Sequence, residues 1–157
     1  MTITLHFLDA RARLTPLRPW ISEALLQTHA RASALLPLLP LDVVIQAGNE
    51  VVPEKGLLGH ASRPGFIQLI VDPDHPQLLL NQNASLQRMF AHELHHAARW
   101  DGPGYGSTLG EALVSEGMAG HFAQELLGGD PEPWETLDIS RMTEHLALAA
   151  QQWGRSD

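Results

Sequence analysis

The sequence predicts one α+β domain spanning residues 1–157, in which a small sheet from the N-terminal half packs on helices from the C-terminal half. Three observations support this fold class. Short apolar runs typical of strands precede residue 72, apolar residues recur at helical spacing after residue 83, and no linker or repeat divides the chain. A chain of 157 residues with 44% hydrophobic residues is large and apolar enough to bury a core without disulfides.

The N-terminal half contains the predicted strands. Residues 3–7 alternate weakly between polar and apolar side chains and predict a first strand, which an amphipathic helix ending before Pro37 follows. Residues 41–47 and 66–71 are apolar, contain β-branched residues and lie between turn residues, so both predict strands. The intervening residues 48–64 have the glycine, proline and asparagine content of a loop.

The C-terminal half is predicted to be helical. An apolar stripe at helical spacing runs over residues 83–100, and the glycine-rich residues 101–107 then interrupt it. Thr108, followed three residues later by Glu111, forms a capping-box signature that opens a second helix, which ends near two consecutive glycines. A last helix is predicted over residues 138–153.

The charge and the cysteine content exclude several function classes. The formal net charge of -8 and the single lysine, Lys55, argue against a nucleic-acid or anionic-membrane surface, since phosphate binding needs clustered cations. Without cysteine, a metal site must use His, Asp or Glu. The N-terminus lacks a signal-peptide pattern, and the most apolar stretch, residues 35–45, is too short to span a membrane, so we expect a cytoplasmic protein.

Residues 92–96 read His-Glu-Leu-His-His, an HExxH motif inside a predicted helix. Four residues at about 100° each bring His92 and His96 to within about 40° of one another, so both imidazoles can reach one ion. In the metalloprotease arrangement, Glu93 takes a proton from a zinc-bound water. His95 points about 100° away from His96 and is left out of the site. The alternative interpretation is a histidine-rich helix whose rings cap backbone groups or lie in solvent.

A catalytic zinc site needs a third protein ligand, and the next predicted helix offers one. Glu116 follows His96 by twenty residues, and the glycine-rich reversal between the helices allows them to pack antiparallel. Glu111 is the competing candidate, although its capping-box position already gives it a structural role. We therefore expect Zn²⁺ as the cofactor, with His92, His96 and Glu116 as its ligands.

The motif and residues 111–117, Glu-Ala-Leu-Val-Ser-Glu-Gly, together resemble the gluzincins, zinc peptidases whose third ligand is a glutamate on a following helix. Residues 88–122 more closely resemble a bacterial family of uncharacterised predicted zinc-dependent proteases. The resemblance implies a minimal zincin-like domain, with a small sheet packed on the HExxH helix and on the following glutamate-bearing helix. It also implies a sheet edge, expected at residues 66–71, along which an extended peptide lies as an added strand.

The resemblance leaves two further roles to assign. Oxyanion stabilisation needs a donor near the metal, for which Tyr105 in the interhelix loop and His121 beyond Glu116 are the candidates. Four residues after Glu116, where the thermolysin pattern has a carboxylate that supports a zinc-binding histidine, this chain has Gly120. Support for the histidines must therefore come from another residue.

These features predict a zinc-dependent peptidase that acts on a peptide or protein substrate, with Glu93 as the general base. The alternative is a non-catalytic zinc-binding or protein-interaction module, because the same three ligands could hold a structural ion. A metallohydrolase acting on another amide or ester also stays open. Neither nucleic acid nor a membrane is expected as a partner, and the sequence does not set the oligomeric state.

Overall fold

The computed structural model describes residues 2–132, 135–136 and 138–156 of the chain. Four strands form one sheet: β1 (Ile3–Leu8), β2 (Leu41–Ala47), β3 (Leu57–Arg63) and β4 (Phe66–Val71). The helices are α1 (Arg18–Ala32), α2 (Pro76–Leu80), α3 (Ser85–Trp100), α4 (Leu109–Leu127) and α5 (Met142–Gln152). The predicted α+β fold class is confirmed.

The sheet has the strand order β1-β2-β4-β3. Strands β1, β2 and β4 run parallel, whereas β3 pairs antiparallel with β4 and forms an edge of the sheet. The prediction that residues 66–71 form an edge is wrong, because β4 pairs with a strand on each side. Its apolar sequence is typical of a central parallel strand, which is buried by its neighbours.

Strand β3 lies inside residues 48–64, which the composition assigned to a loop. It contains no β-branched residue and no Phe, Tyr or Trp, so its sequence has little strand propensity. Its burial nevertheless alternates, since Leu57, Gly59 and Ala61 are buried and the residues between them are exposed. Pairing with β4 and packing against α3 therefore create this strand against its local composition.

Helices α1 and α3 share one hydrophobic core with the buried side of the sheet. Burying a large apolar side chain contributes about 1.5–3 kcal/mol, so the fully buried residues on these elements dominate the stability of the fold. Those without exposed area are Ile21, Leu25, Val43, Ile45, Ile67, Val71, Leu86, Phe90 and Leu94. This core fixes α3, and with it the face of α3 that carries the HExxH motif.

The reversal between α3 and α4 depends on glycine. Gly104 and Gly106 have positive φ angles of 81° and 108°, and a β-carbon on Gly106 would lie 2.2 Å from the β-carbon of Glu111. The predicted capping box is present, because Thr108 Oγ1 accepts a hydrogen bond from Glu111 N while Thr108 N donates one to the Glu111 carboxylate. The reversal thus starts α4 at a defined residue and engages Glu111 there.

The segment after α5 packs against the start of α4. Leu109 N donates to Arg155 O at 2.7 Å and Gly110 N donates to Trp153 O at 2.9 Å. A β-carbon on Gly110 would lie 2.2 Å from the Trp153 ring, so glycine permits this close approach. The helix predicted over residues 138–153 is found as a 3₁₀ turn followed by α5. In the described part of the chain, no helix is long and apolar enough to cross a membrane.

Candidate metal centre

His92 and His96 lie one turn apart on the face of α3 that points away from the core. Their Nε2 atoms are 3.0 Å apart, as expected for two imidazoles at positions i and i+4 that converge on one point. Because Phe90 and Leu94 anchor the opposite side of α3 in the core, this convergence is set by the packing of the helix.

Helix α4 brings Glu116 to the same point. One carboxylate oxygen lies 3.0 Å from His92 Nε2 and the other lies 3.4 Å from His96 Nε2. The three candidate ligand atoms all lie within 4.8 Å of one another, and they form the one such group found among the described residues. Tetrahedral ligands at about 2.0–2.1 Å from zinc lie roughly 3.3 Å from each other, so the two histidines and the carboxylate fit this ion.

The charge of Glu116 suits a metal ligand. Hydrogen bonds from His92 and then His96 hold the pKa of this carboxyl far below its usual range, and they outweigh the opposite effect of burial. The group is therefore an anion at neutral pH. Two imidazole donors and one carboxylate donor are a ligand set found in zinc hydrolases that keep a position open for water.

Glu93 lies beside the ligands and binds a different partner. Its Oε2 accepts a hydrogen bond of 2.7 Å from the backbone N–H of Ala61 in β3, which holds the carboxylate in place. Burial raises the pKa of Glu93, although the neighbouring His92 and His96 oppose this effect. A buried carboxylate with a raised pKa that faces a cleft has the properties of a general base.

Strand β3 approaches Glu93 closely because it carries a glycine. A β-carbon on Gly59 would lie 2.6 Å from Glu93 Cγ, so any larger residue there would force the Glu93 side chain or the strand to shift. Trp100, at the end of α3, adds a second link by donating from Nε1 to Ala61 O at 2.7 Å. Neither Gly59 nor Ala61 was predicted as a site residue, because a glycine indicates a close contact only within a strand and residues 48–64 were predicted to be a loop.

Tyr105 and His121, the two candidate oxyanion donors, lie in different surroundings. The Tyr105 hydroxyl donates to Glu116 Oε1, and burial together with the Glu116 carboxylate raises the pKa of the phenol, so it stays protonated. The His121 side chain is 74% exposed and lies 3.8 Å from Glu125 on the same helix. The structure brings Tyr105 together with the candidate metal ligands and does not bring His121 there.

Ser115 contacts a histidine of the group and can give the support that Gly120, which has no side chain, cannot give. Its hydroxyl lies 3.3 Å from His96 Nδ1, on the side of the ring opposite the metal-facing Nε2 atom, and the residue has no exposed area. Such a partner orients a ligating imidazole and fixes its tautomer. The residue next to Glu116 thus contacts a candidate ligand on the other helix, a role that the sequence alone did not predict.

His95 takes no part in the ligand group. Its ring lies 5.8 Å from that of Phe122 of α4, and burial lowers the pKa of His95 to about 4. The side chain is therefore a neutral packing element between α3 and α4, on a different side of α3 from the metal ligands.

A cleft with a volume of about 530 Å³ contains the metal-ligand group. Residues of α3, β3 and α4 line it, as do residues of the segment that follows α4. His92, Glu93, His96, Tyr105 and Glu116 all lie on its surface. The arrangement leaves the metal-facing atoms accessible to a molecule that enters the cleft.

Comparison with known proteins gives the chain a family. Residues 21–157 match the family described as "Predicted Zn-dependent protease (DUF2268)". The chain is similar to the "Uncharacterized protein YjfC" of Bacillus subtilis (strain 168), with 35% identity over 92 residues, which is 56% of this chain and 29% of that protein. No solved structure matches the chain. The chain therefore belongs to the family of predicted Zn-dependent proteases, as its resemblance to that family indicated.

Proposed function

We propose that the protein is a zinc-dependent peptidase in which Glu93 acts as the general base. The observation that carries this proposal is the position of Glu93, a buried carboxylate beside three converging ligand atoms in one cleft. A purely structural zinc site has no use for such a group and normally has four protein ligands.

The metal would be held by His92, His96 and Glu116. When bound, zinc supplies a Lewis acid that polarises the scissile carbonyl and lowers the pKa of an attacking water. Two imidazole donors suit zinc, copper, iron or nickel and disfavour magnesium or calcium, and the description of the family supports zinc among these metals.

Glu93 moves the protons of the reaction. Its carboxylate accepts a proton from the attacking water and then delivers it to the nitrogen of the leaving amine, so no covalent enzyme intermediate is needed. The hydrogen bond from Ala61 N supports this role by fixing the carboxylate through one oxygen, and the other oxygen is left to meet the water.

Tyr105 is the proposed donor to the oxygen of the scissile carbonyl. Its hydroxyl remains protonated and lies at Glu116, within reach of the metal-ligand group. As negative charge develops on the carbonyl oxygen, this O–H can turn from the Glu116 carboxylate toward it.

Strand β3 is the proposed docking edge for an extended peptide. Leu57 O accepts a hydrogen bond from Val52 N, and the backbone N–H and C=O of Ala61 bind Glu93 and Trp100, so both residues direct backbone groups away from β4. Gly59 lies two residues from each, and the period of a strand gives its backbone the same direction. A substrate strand would pair there, next to Glu93.

The Glu93→Gln variant tests the proposal against the alternative of a non-catalytic zinc-binding module. Zinc content, measured by elemental mass spectrometry, should stay near that of the wild type, while cleavage of a quenched-fluorescence peptide library should disappear. Glu125→Gln, at an exposed position on α4, is the matched control and should retain both properties. Zinc-loaded wild type that cleaves no peptide, or a Glu93→Gln variant as active as the wild type, would overturn the proposal.

A further inference from the structure

A buried cationic pair lies at the end of the cleft where α3 and β3 begin. Arg88 precedes His92 by one helical turn, about 6 Å along the helix axis. Lys55, the single lysine of the chain, precedes the first residue of β3 by two positions. Both side chains line the cleft, with exposed fractions of 3% for Arg88 and 8% for Lys55. Buried cations are stable in such a site when an anion is bound beside them.

In this structure the anion is the side chain of Glu132. Lys55 Nζ donates to Glu132 Oε1, and Arg88 Nε lies 3.7 Å from the same oxygen. Arg88 Nη1 donates to the backbone oxygens of Gly128 and Asp130 at 3.2 and 2.8 Å. The remaining nitrogen, Arg88 Nη2, is buried and has no hydrogen-bond partner among the described residues.

The Glu132 carboxylate satisfies this site only in part. The ion pairs of both cations are with the same oxygen, Glu132 Oε1, whereas a guanidinium can hold a carboxylate through two parallel hydrogen bonds. Residues 128–132, which connect Glu132 to α4, form neither helix nor strand, and the Glu132 backbone N–H donates to Glu135 Oε2 at 2.7 Å. A carboxylate that is free of this tether can turn to meet the unpaired Arg88 Nη2 as well.

We propose that Lys55 and Arg88 form a carboxylate-binding subsite of the cleft, which Glu132 fills in the free protein and from which a substrate carboxylate displaces it. An intramolecular group competes at an effective concentration of the order of millimolar. The substrate gains the additional hydrogen bond at Arg88 and its backbone contacts elsewhere in the cleft, and both offset the advantage of the tether.

The position of the subsite defines the substrate class. The cationic pair lines the same cleft as the candidate metal ligands, and Arg88 lies one helical turn before His92. The carboxylate therefore belongs to an acidic side chain near the cleaved bond or to the C-terminus of the peptide. This substrate preference rests on the proposed peptidase function, whereas carboxylate binding by the pair does not.

Carboxylate binding is tested by thermal unfolding of the zinc-loaded Glu132→Ala variant in sodium acetate, with sodium chloride at equal ionic strength as the reference. Acetate at ten times its Kd should raise the Tm by roughly 3–6 °C, and neutral acetamide should not. The double variant Lys55→Met/Glu132→Ala keeps all three metal ligands and should lose the response. Glu132→Gln, which preserves side-chain volume, replaces Glu132→Ala if the latter does not fold.

Two outcomes of this experiment would overturn the subsite. A folded Glu132 variant indifferent to acetate would mean that the three residues form an internal ion pair only. An acetate response that persists in the double variant would place the anion elsewhere, for example on the metal.

The substrate preference is tested in the wild-type background with matched peptides that carry Glu or Gln near the cleaved bond. The ratio of kcat/KM for the Glu peptide over the Gln peptide should be about tenfold, the effect of one charge-assisted hydrogen bond, and should approach one in Lys55→Met. Peptides with free or amidated C-termini separate a terminal carboxylate from an acidic side chain. Equal rates for all these peptides would overturn the preference. If no peptide is cleaved, the proposed function fails and the acetate experiment still decides the subsite.

Discussion

Helices α3 and α4 supply the two halves of the candidate metal centre, and they are held in different ways. Helix α3 carries His92 and His96 on one face and buries Phe90 and Leu94 of the opposite face completely. Its first turn is capped from outside the helix by the Asn81 side chain, which accepts a backbone hydrogen bond at 2.9 Å. The buried residues lie on the same turns as the histidines, so packing in the core fixes the position of the histidines.

Helix α4 is held mainly at its start and along one side. A capping box joins Thr108 and Glu111, and Trp153 packs on Gly110 one residue into the helix. The Glu116 side chain itself is 49% exposed. Large apolar side chains on the outer part of α4 are also exposed, namely Leu113, Val114 and Met118.

This difference in anchoring indicates that the half of the site on α3 is preformed. The two histidines take their positions when the core folds, whereas the position of Glu116 depends on how α4 docks on α3. A metal ion bound by all three residues would join the two helices, so its binding free energy contributes directly to the docking of α4.

The largest effect is expected from removing a ligand on either helix. His96→Ala and Glu116→Ala should each reduce zinc from about one ion per chain to almost none, because two ligands do not retain the ion. Elemental mass spectrometry of tag-free protein measures this loss. Glu125→Gln, an exposed glutamate on α4, serves as the control. Full zinc content in Glu116→Ala would break the comparison, since α4 would then contribute nothing to the site.

Truncating a side chain should lower the free energy of unfolding by several kcal/mol more in α3 than in α4. Phe90→Ala in α3 removes a fully buried ring and is expected to lower the free energy of unfolding by about 3–5 kcal/mol. Leu113→Ala in α4 removes a side chain that is 46% exposed, so the change should stay within about 0.5 kcal/mol. Chemical denaturation measures both values. Similar losses in the two variants would contradict the different anchoring of α3 and α4.

Ser115→Ala should weaken the link from α4 to a ligand of α3. The substitution removes the hydroxyl beside His96 Nδ1 without altering any ligand, and losses of such partners lower metal affinity by about 10–100-fold. Competition with a zinc chelator measures the affinity. Ser140→Ala, at an exposed position outside the site, should leave it unchanged. Unchanged affinity in Ser115→Ala would mean that the packing of His96 alone orients its ring.

The smallest expected effect concerns the capping of α4. Thr108→Ala removes the side-chain acceptor for Glu111 N and should lower the free energy of unfolding by about 1 kcal/mol. Zinc content should persist, because Glu116 lies two turns further along the helix. Urea denaturation and elemental analysis test the two parts. Loss of zinc in this variant would indicate that the start of α4 positions Glu116 directly.

Periodicity and capping signals made the helices predictable. The apolar stripe of α3 and the capping box of α4 appear in the sequence because each expresses a local rule of helix formation. The resemblance that followed from the HExxH motif led to the family, which the comparison confirms. The fixed angle per residue along a helix also predicted that His92 and His96 share one face of α3.

Long-range contacts escaped the sequence analysis. Strand β3 forms because it pairs with β4 and packs against α3, although its own residues favour a loop. Ser115 could not be assigned to His96, since that contact depends on how α4 rotates against α3. Glu116 and His121 lie five residues apart on α4, about 140° around its axis, so His121 points to solvent when Glu116 faces the histidines.

The hydrogen bond from Ala61 N to Glu93 links β3 directly to the carboxylate that we propose as the general base. A peptide paired with Gly59 would be positioned by the same stretch of backbone that holds the Glu93 carboxylate. When β3 fluctuates relative to α3, the bound peptide and the proton acceptor would move together. Motions of the sheet edge would then change the distance between the bound peptide and the Glu93 carboxylate very little, although Gly59 itself has no side chain that could take part in the reaction.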